Sequence, residues 1–299
     1  MSRSKDWPEG AWSTSQKSLL RRCPKAHKLR YQHGLVTREM TSDALLIGTG
    51  FHRVRELVCL EILRGGETTD DVWQQAIETA RAECASGPAS IEITRLARAY
   101  MQKYGLENAG YGEDFVVEGS ERVLLGGDLH RAHGGFAAIA DAVLRDACAM
   151  PWLVETKTAG RTPPGTIVEL AEERRTWDQC LSLAYCGWKT YGEIPGVLYD
   201  IVVKNKTPVF IRVPVVLSEA ELLKWEAEQI EGEQMFGLSC VNRDACAPPV
   251  GFGCDYFKFC HGTDEDREQL YTLRAGRELS APRGCLISPV PVGSFAHNE

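Results

Sequence analysis

Apolar residues recur at helical spacing through the N-terminal part of the chain. Ser13, Thr14 and Ser15 offer N-caps for a helix running to about Tyr31, with Leu19, Leu20, Cys23 and His27 near one face. A second helix begins near Gly48 in GTGFHRVRELVCLEILRGG, where Phe51, Val54, Leu57, Val58 and Ile62 repeat and Gly65-Gly66 ends it. Thr69 to about Ala85 and Ile91 to Tyr104 are helical stretches of mixed charge, the body of a helical insertion after that helix.

The spacing changes after Gly112. FVVEGSERVLLGGDLHRAHGGFAAIADAVLRD has short alternating runs that suit strands joined by tight turns, and WLVETKTAG adds a strand buried at Leu153 and Val154. EERRTWDQCLSLAYCGWKTYG returns to helix, and GVLYDIVVKN and PVFIRVPVVL to strand. SEAELLKWEAEQIEGEQMF is a helix capped by Ser218, with Glu221 at the third helical position as in a capping box. This order predicts a mixed α/β domain with a central sheet flanked by helices. After His261, Pro282, Gly284, Pro289, Pro291 and Gly293 argue against a packed element, so a single domain is expected over 1–261 with a tail over 262–299.

With 299 residues, 43% of them hydrophobic and 25% charged, the chain can bury a substantial core. No stretch approaches the roughly 18 uninterrupted apolar residues of a membrane helix, and MSRSKDWPEG lacks a signal peptide's apolar run. A cytoplasmic, membrane-free protein is the expectation. The net charge of -7 argues weakly against nucleic acid, but its distribution matters more. No acidic residue occurs between Gly10 and Arg38, where Lys17, Arg21, Arg22, Lys25, Lys28, Arg30 and Arg38 supply seven positive charges. That run is either a phosphate-binding face or an ordinary solvated one.

The chemistry-bearing residues lie on the strands. Asp141 stands in IADAVLRD, and fourteen residues on comes Glu155-Thr156-Lys157. Residues two apart in a strand share a face, so Glu155 and Lys157 project together while Thr156 leaves its backbone carbonyl near them. An adjacent strand can put Asp141 beside that pair. Two carboxylates and a carbonyl are hard ligands suited to Mg²⁺ or Mn²⁺, and a neighbouring lysine can orient or help deprotonate water for phosphate-ester hydrolysis. Alone, Glu-x-Lys also describes a surface salt bridge, and His52 a common helix histidine.

The spacing Asp-x13-Glu-x-Lys, preceded by GTGFH, followed by TWDQ and bracketed by cysteines, resembles the PD-(D/E)XK nuclease superfamily in its RecB-like branch. The resemblance implies a restriction-endonuclease-like fold with a central mixed sheet. It implies His52, Asp141, Glu155 and the Thr156 carbonyl as ligands of Mg²⁺ or Mn²⁺, Lys157 as the catalytic lysine, and Gln179 as a residue that places the lysine or substrate. The family often carries a tyrosine four residues after the glutamine. Here position 183 is Leu, and Tyr185, a candidate DNA contact beside Lys17, Arg21, Arg22 and Lys25, points about 120° away from Gln179 on a helix.

Eleven cysteines in a reducing compartment are thiols or metal ligands rather than disulfides. Cys59, Cys84, Cys148, Cys180, Cys186, Cys240 and Cys285 stand singly in apolar or helical surroundings and take no role. Cys246, Cys254 and Cys260 lie close together in RDACAPPVGFGCDYFKFCHG. With Cys23 they resemble the AddB-type and CRISPR-adaptation nucleases, where one cysteine before the core and three after it bind a [4Fe-4S] cluster. That resemblance implies a bracket formed by 12–31 and 240–261. Zinc is the alternative metal, and Cys240 the alternative to Cys246.

The expected function is hydrolysis of DNA phosphodiesters, with exonuclease action in recombination, repair or phage DNA processing implied by the resemblance, in the host cytoplasm for a phage-encoded protein. The rivals are a non-catalytic DNA-binding or assembly protein with a vestigial site, and a phosphoesterase acting on small nucleotides. No GxxxxGK[ST] motif occurs, so unwinding would need a helicase or recombinase on another chain.

Overall fold

The computed structural model describes residues 7–8, 10–37, 42–84, 87–130, 135–231, 254–256, 259–260, 265 and 269–273. The chain divides into two compact units, one comprising 1–7, 40–131 and 135–231, the other 8–39, 132–134 and 232–299. Among the described residues no helix is long and apolar enough to cross a membrane.

The second unit begins with α1 (Thr14–Arg22), closed by a capping box between Ser13 and Gln16. The single helix expected to Tyr31 is interrupted at Cys23, which is extended at φ −159° and ψ 105°. Pro24 is the cause, because its ring excludes the helical conformation from the preceding residue while suiting the first turn of a new helix. The short α2 (Pro24–His27) follows, then a π-helical turn at Lys28–Gln32 and β1 (Leu35–Thr37).

In the first unit α3 (Asp43–Leu63) starts ahead of Gly48, because Ser42 caps it and accepts the Leu45 N–H at 3.4 Å. The stretches read as an insertion are α4 (Asp70–Cys84) and α5 (Pro88–Tyr104). Their Trp73, Ile77, Ile93, Leu96 and Tyr100 share one core with Phe51, Val54 and Val58 of α3. Gly50 permits this packing, since a Cβ there would meet Ile93 Cδ1 at 2.2 Å.

That layer covers a five-stranded sheet made of β2 (Phe115–Leu125), β3 (Ala137–Asp146), β4 (Pro151–Ala159), β5 (Gly196–Val203) and β6 (Val209–Val215), in that order. Only the β4 to β5 pairing is parallel, which demands a crossover. It is supplied by α6 (Ile167–Arg175) and α7 (Asp178–Tyr191). The sequence reads these as one helix. Thr176 separates them by turning its hydroxyl back to donate to the Glu173 carbonyl at 2.8 Å, and Trp177 becomes extended. The last helix, α8 (Glu219–Glu231), opens on the expected Ser218 to Glu221 capping box. The result is the mixed, helix-flanked α/β sheet of a restriction-endonuclease-like fold.

The stretch expected to form an unpacked tail contains β7 (Tyr271–Leu273), which pairs antiparallel with β1 in the second unit. The proline-rich positions 282–293 lie outside the described residues.

Candidate active site

The site lies where the sheet opens. β3 and β4 are paired only from Arg145–Pro151 to Ala142–Val154. Past that point β3 continues on β2 as far as Ala137, and β4 continues on β5 as far as Ala159. The two central strands therefore lose each other as backbone partners and form a fork. Asp141, Glu155, Thr156 and Lys157 stand at its opening. In place of a ladder carbonyl, the Asp141 carboxylate accepts the Thr156 N–H at 2.6 Å.

α3 brings His52 to the same place. Gly48 lies so near β4 that a Cβ there would be 2.9 Å from Thr158 Oγ1. One turn further along, His52 Nδ1 is 3.3 Å from Asp141 Oδ2. Lys157 Nζ lies 2.7 Å from Glu155 Oε1, which is almost wholly buried while the lysine is partly open to solvent. Each carboxylate thus carries one cationic neighbour.

The charges perturb one another strongly. Burial opposes ionisation of Asp141, but His52, the Thr156 N–H and Lys157 together hold it below the usual carboxylate range. Burial also opposes the His52 imidazolium, and Asp141, with help from Glu155 and Glu121, overrides it and raises its pKa to about 9. Burial and the Asp141 charge push Glu155 upward against the pull of Lys157. Glu121 of β2, which the sequence does not single out, belongs to this field: burial, Asp141 and Glu56 raise it to about 7. The surplus of negative charge and the hard oxygen donors fit a divalent cation, which would replace the positive charge that His52 supplies to Asp141. Among the described residues no three His, Cys, Asp or Glu side chains are drawn together into a ready metal group.

Residues 11–233 of the chain match the family model of the PD-(D/E)XK nuclease superfamily. The chain belongs to that superfamily. No curated protein matches it by sequence. Among solved structures it is similar to a "Putative exonuclease" from Eubacterium rectale at 10% identity and a TM-score of 0.47, covering 81% of this chain and 91% of that one. It is also similar to the crystal structure of SSO0001, at 16% identity and a TM-score of 0.29, covering 71% and 84%. Neither likeness carries weight for the chemistry.

Other positions expected to serve this nuclease-superfamily site are placed as follows. Gln179 is half-buried in the first turn of α7, and among the described residues its side chain makes no hydrogen bond to the fork. Tyr185 is only 1% exposed, donates its hydroxyl to Glu226 and packs on Trp225, so it is a core residue of α7 and α8 rather than a surface contact for DNA. The same correction applies to Lys17, which is 3% exposed because it lies on the buried side of α1. Arg22 and Arg30 are exposed, and Arg21 and Lys25 half-buried.

In the second unit Cys23, Cys254 and Cys260 join one apolar cluster with Ala26, Leu29, Tyr256, Phe259 and Leu270. All three are outside any disulfide. The Tyr256 N–H donates to Cys254 Sγ at 3.4 Å, and the Tyr256 hydroxyl to the Leu35 carbonyl at 2.9 Å. Cys246 and Cys240 lie outside the described residues.

Proposed function

We propose that this chain is a Mg²⁺- or Mn²⁺-dependent deoxyribonuclease that acts as an exonuclease on DNA ends. The observation that carries the reading is the fork itself, where Asp141, Glu155 and Lys157 meet at the mouth of a sheet otherwise closed by pairing. Asp141, Glu155, the Thr156 carbonyl and His52 would hold the cation. When bound, it supplies Lewis acidity toward the phosphate and neutralises charge growing on its oxygens.

The side chains divide the remaining work. Lys157, fixed on Glu155 at 2.7 Å, orients the attacking water and stabilises the negative charge that forms on it. Glu155, nearly desolvated, keeps the lysine ammonium in place and shares the cation. Gln179, whose side chain makes no hydrogen bond among the described residues, would meet lysine or substrate from the start of α7. Arg21, Arg22 and Lys25 form the basic face that tracks DNA phosphates.

We assign Cys23, Cys246, Cys254 and Cys260 to a [4Fe-4S] cluster that ties 12–31 to 240–261 as a structural bracket. Three of the four thiols already share an apolar cluster. The Tyr256 N–H on Cys254 sulfur is the kind of bond that stabilises a metal-bound thiolate. The preference for ends, a role in recombination, repair or phage DNA processing, a helicase or recombinase on another chain, and a cytoplasmic location all rest on the resemblance to recombination and phage-type exonucleases.

The test is incubation with Mn²⁺ and either linear or covalently closed circular DNA. Loss of the linear form alone is expected. Cutting of the circle would replace exonuclease with endonuclease action, and survival of both would favour a DNA-binding protein with a vestigial site.

A further inference from the structure

Glu121 is the fork residue without an assigned task. Ser120 pairs with Ala142 and Arg122 with Ala140, so the β2 register sets Glu121 beside Asp141. One step past Ala142–Val154, the β4 register sets Glu155 on the other flank of Asp141. Three successive strands therefore each bring a carboxyl group toward the opening of the fork.

Its neighbours are otherwise employed. Glu118 of the same strand is salt-bridged to Arg145 at 2.7 Å, and Glu56 of α3 to Arg53 at 2.9 Å. Glu121 is half-buried and, among the described residues, makes no hydrogen bond and no ion pair. It is also held at φ +46°, a left-handed conformation that costs a side-chain-bearing residue roughly 1 kcal/mol or more. A carboxyl group beside Asp141 that makes no hydrogen bond or ion pair among the described residues can meet a cation, whose charge would favour its ionised form.

We infer that Glu121 is a further cation-binding residue of this site, closing around the divalent ion from the flank of Asp141 opposite Glu155. The inference rests on the divalent-cation reading given above, and extends its ligand set onto β2. The ligand it needs is the cation alone, without nucleic acid.

Mn²⁺ binding by the full-length protein, followed by the loss of the free-ion electron paramagnetic resonance signal, tests it with no cleavage assay. Glu121→Gln should raise the Mn²⁺ Kd about tenfold, the scale on which supporting groups act at metal sites. Glu118→Gln should leave it within twofold, and Asp141→Asn should abolish binding. A Glu121→Gln protein that is folded by circular dichroism and binds within twofold of wild type, while Asp141→Asn does not bind, overturns the inference and leaves the nuclease reading intact. Wild-type protein that binds no Mn²⁺ removes the reading on which the inference rests. If Glu121→Gln does not fold, Glu121→Asn, which suits the left-handed backbone at this position, takes its place, and an unchanged Kd there is equally fatal.

Discussion

The Asp141 carboxylate accepts the backbone N–H of Thr156 at 2.6 Å, which places one side chain both in the sheet and in the chemistry. The two duties separate by substitution. Asp141→Ala removes the proposed cation ligand and leaves the buried Thr156 N–H without an acceptor, at a cost of about 1–3 kcal/mol. Asp141→Asn retains an acceptor oxygen and should unfold near the wild-type denaturant midpoint. Both variants should be inactive with Mn²⁺. Equal stability of Ala and Asn variants would mean that the bond does not support the fork.

Lys157→Ala should abolish cleavage while DNA binding survives, because the role proposed for the amine is on water and its loss leaves the proposed phosphate-binding surface in place. Loss of such a group costs on the order of 10²-fold or more in rate. Single-turnover cleavage within about tenfold of wild type would remove Lys157 from the mechanism.

Reversal of Arg21 and Arg22 to Glu tests the α1 face. Every DNA phosphate that these side chains no longer neutralise should reduce the slope of log affinity against log salt by about 0.9 on duplex DNA. A slope equal to that of wild type would show that this face does not touch DNA.

The thiols give a spectroscopic prediction. Protein purified without oxygen should be brown and contain roughly four irons per chain. Cys23→Ser should bleach it and lower its stability, since cluster binding free energy is partly folding free energy. The same change at Cys59 or Cys148 should leave the colour untouched. A colourless protein with one zinc, or bleaching by Cys240→Ser with Cys23→Ser still brown, would replace the ligand set.

Legibility of these features in the sequence follows the range of the forces involved. Short apolar runs and capping are local, so β4, β5 and the Ser218 cap of α8 are readable from a few residues each. The break at Cys23 is also local, and Pro24 is its signal. Thr156 and Lys157 can be placed on one strand, but the fork that gathers them depends on where a ladder stops, which no residue type announces. Glu121 is hidden for the same reason: only register brings β2 beside Asp141. Tyr185 reads as a surface residue because its burial is decided by Trp225, forty residues further along the chain.

Asp200 is the furthest-reaching case, and it yields the last prediction. It lies within the apolar run of β5, opposite Thr156 in the parallel register, and is fully buried. Its partners come from distant elements: it accepts the Tyr100 hydroxyl of α5 and faces Arg55 of α3 at 3.9 Å and Arg212 of β6 at 3.8 Å. The Arg55 guanidinium is further held over Tyr100 and Tyr111, at 4.2 and 4.4 Å from their ring centres. One buried anion therefore serves two guanidinium groups, one of them wholly enclosed. Asp200→Ala leaves both without a counter-charge, and breaking a buried pair in this way costs roughly 3–5 kcal/mol. Asp200→Asn keeps an acceptor for Tyr100 and should cost less. In the double variant Asp200→Leu, Arg55→Met the wholly enclosed guanidinium is gone and only the half-buried Arg212 is left without Asp200, so part of the loss should return even though two polar residues have been deleted. The measurement is the urea midpoint of each protein, with Mn²⁺ affinity at the fork as a second readout, because β5 supports β4 at Thr156. A double variant no more stable than Asp200→Ala would show that the network contributes through shape and not through charge pairing.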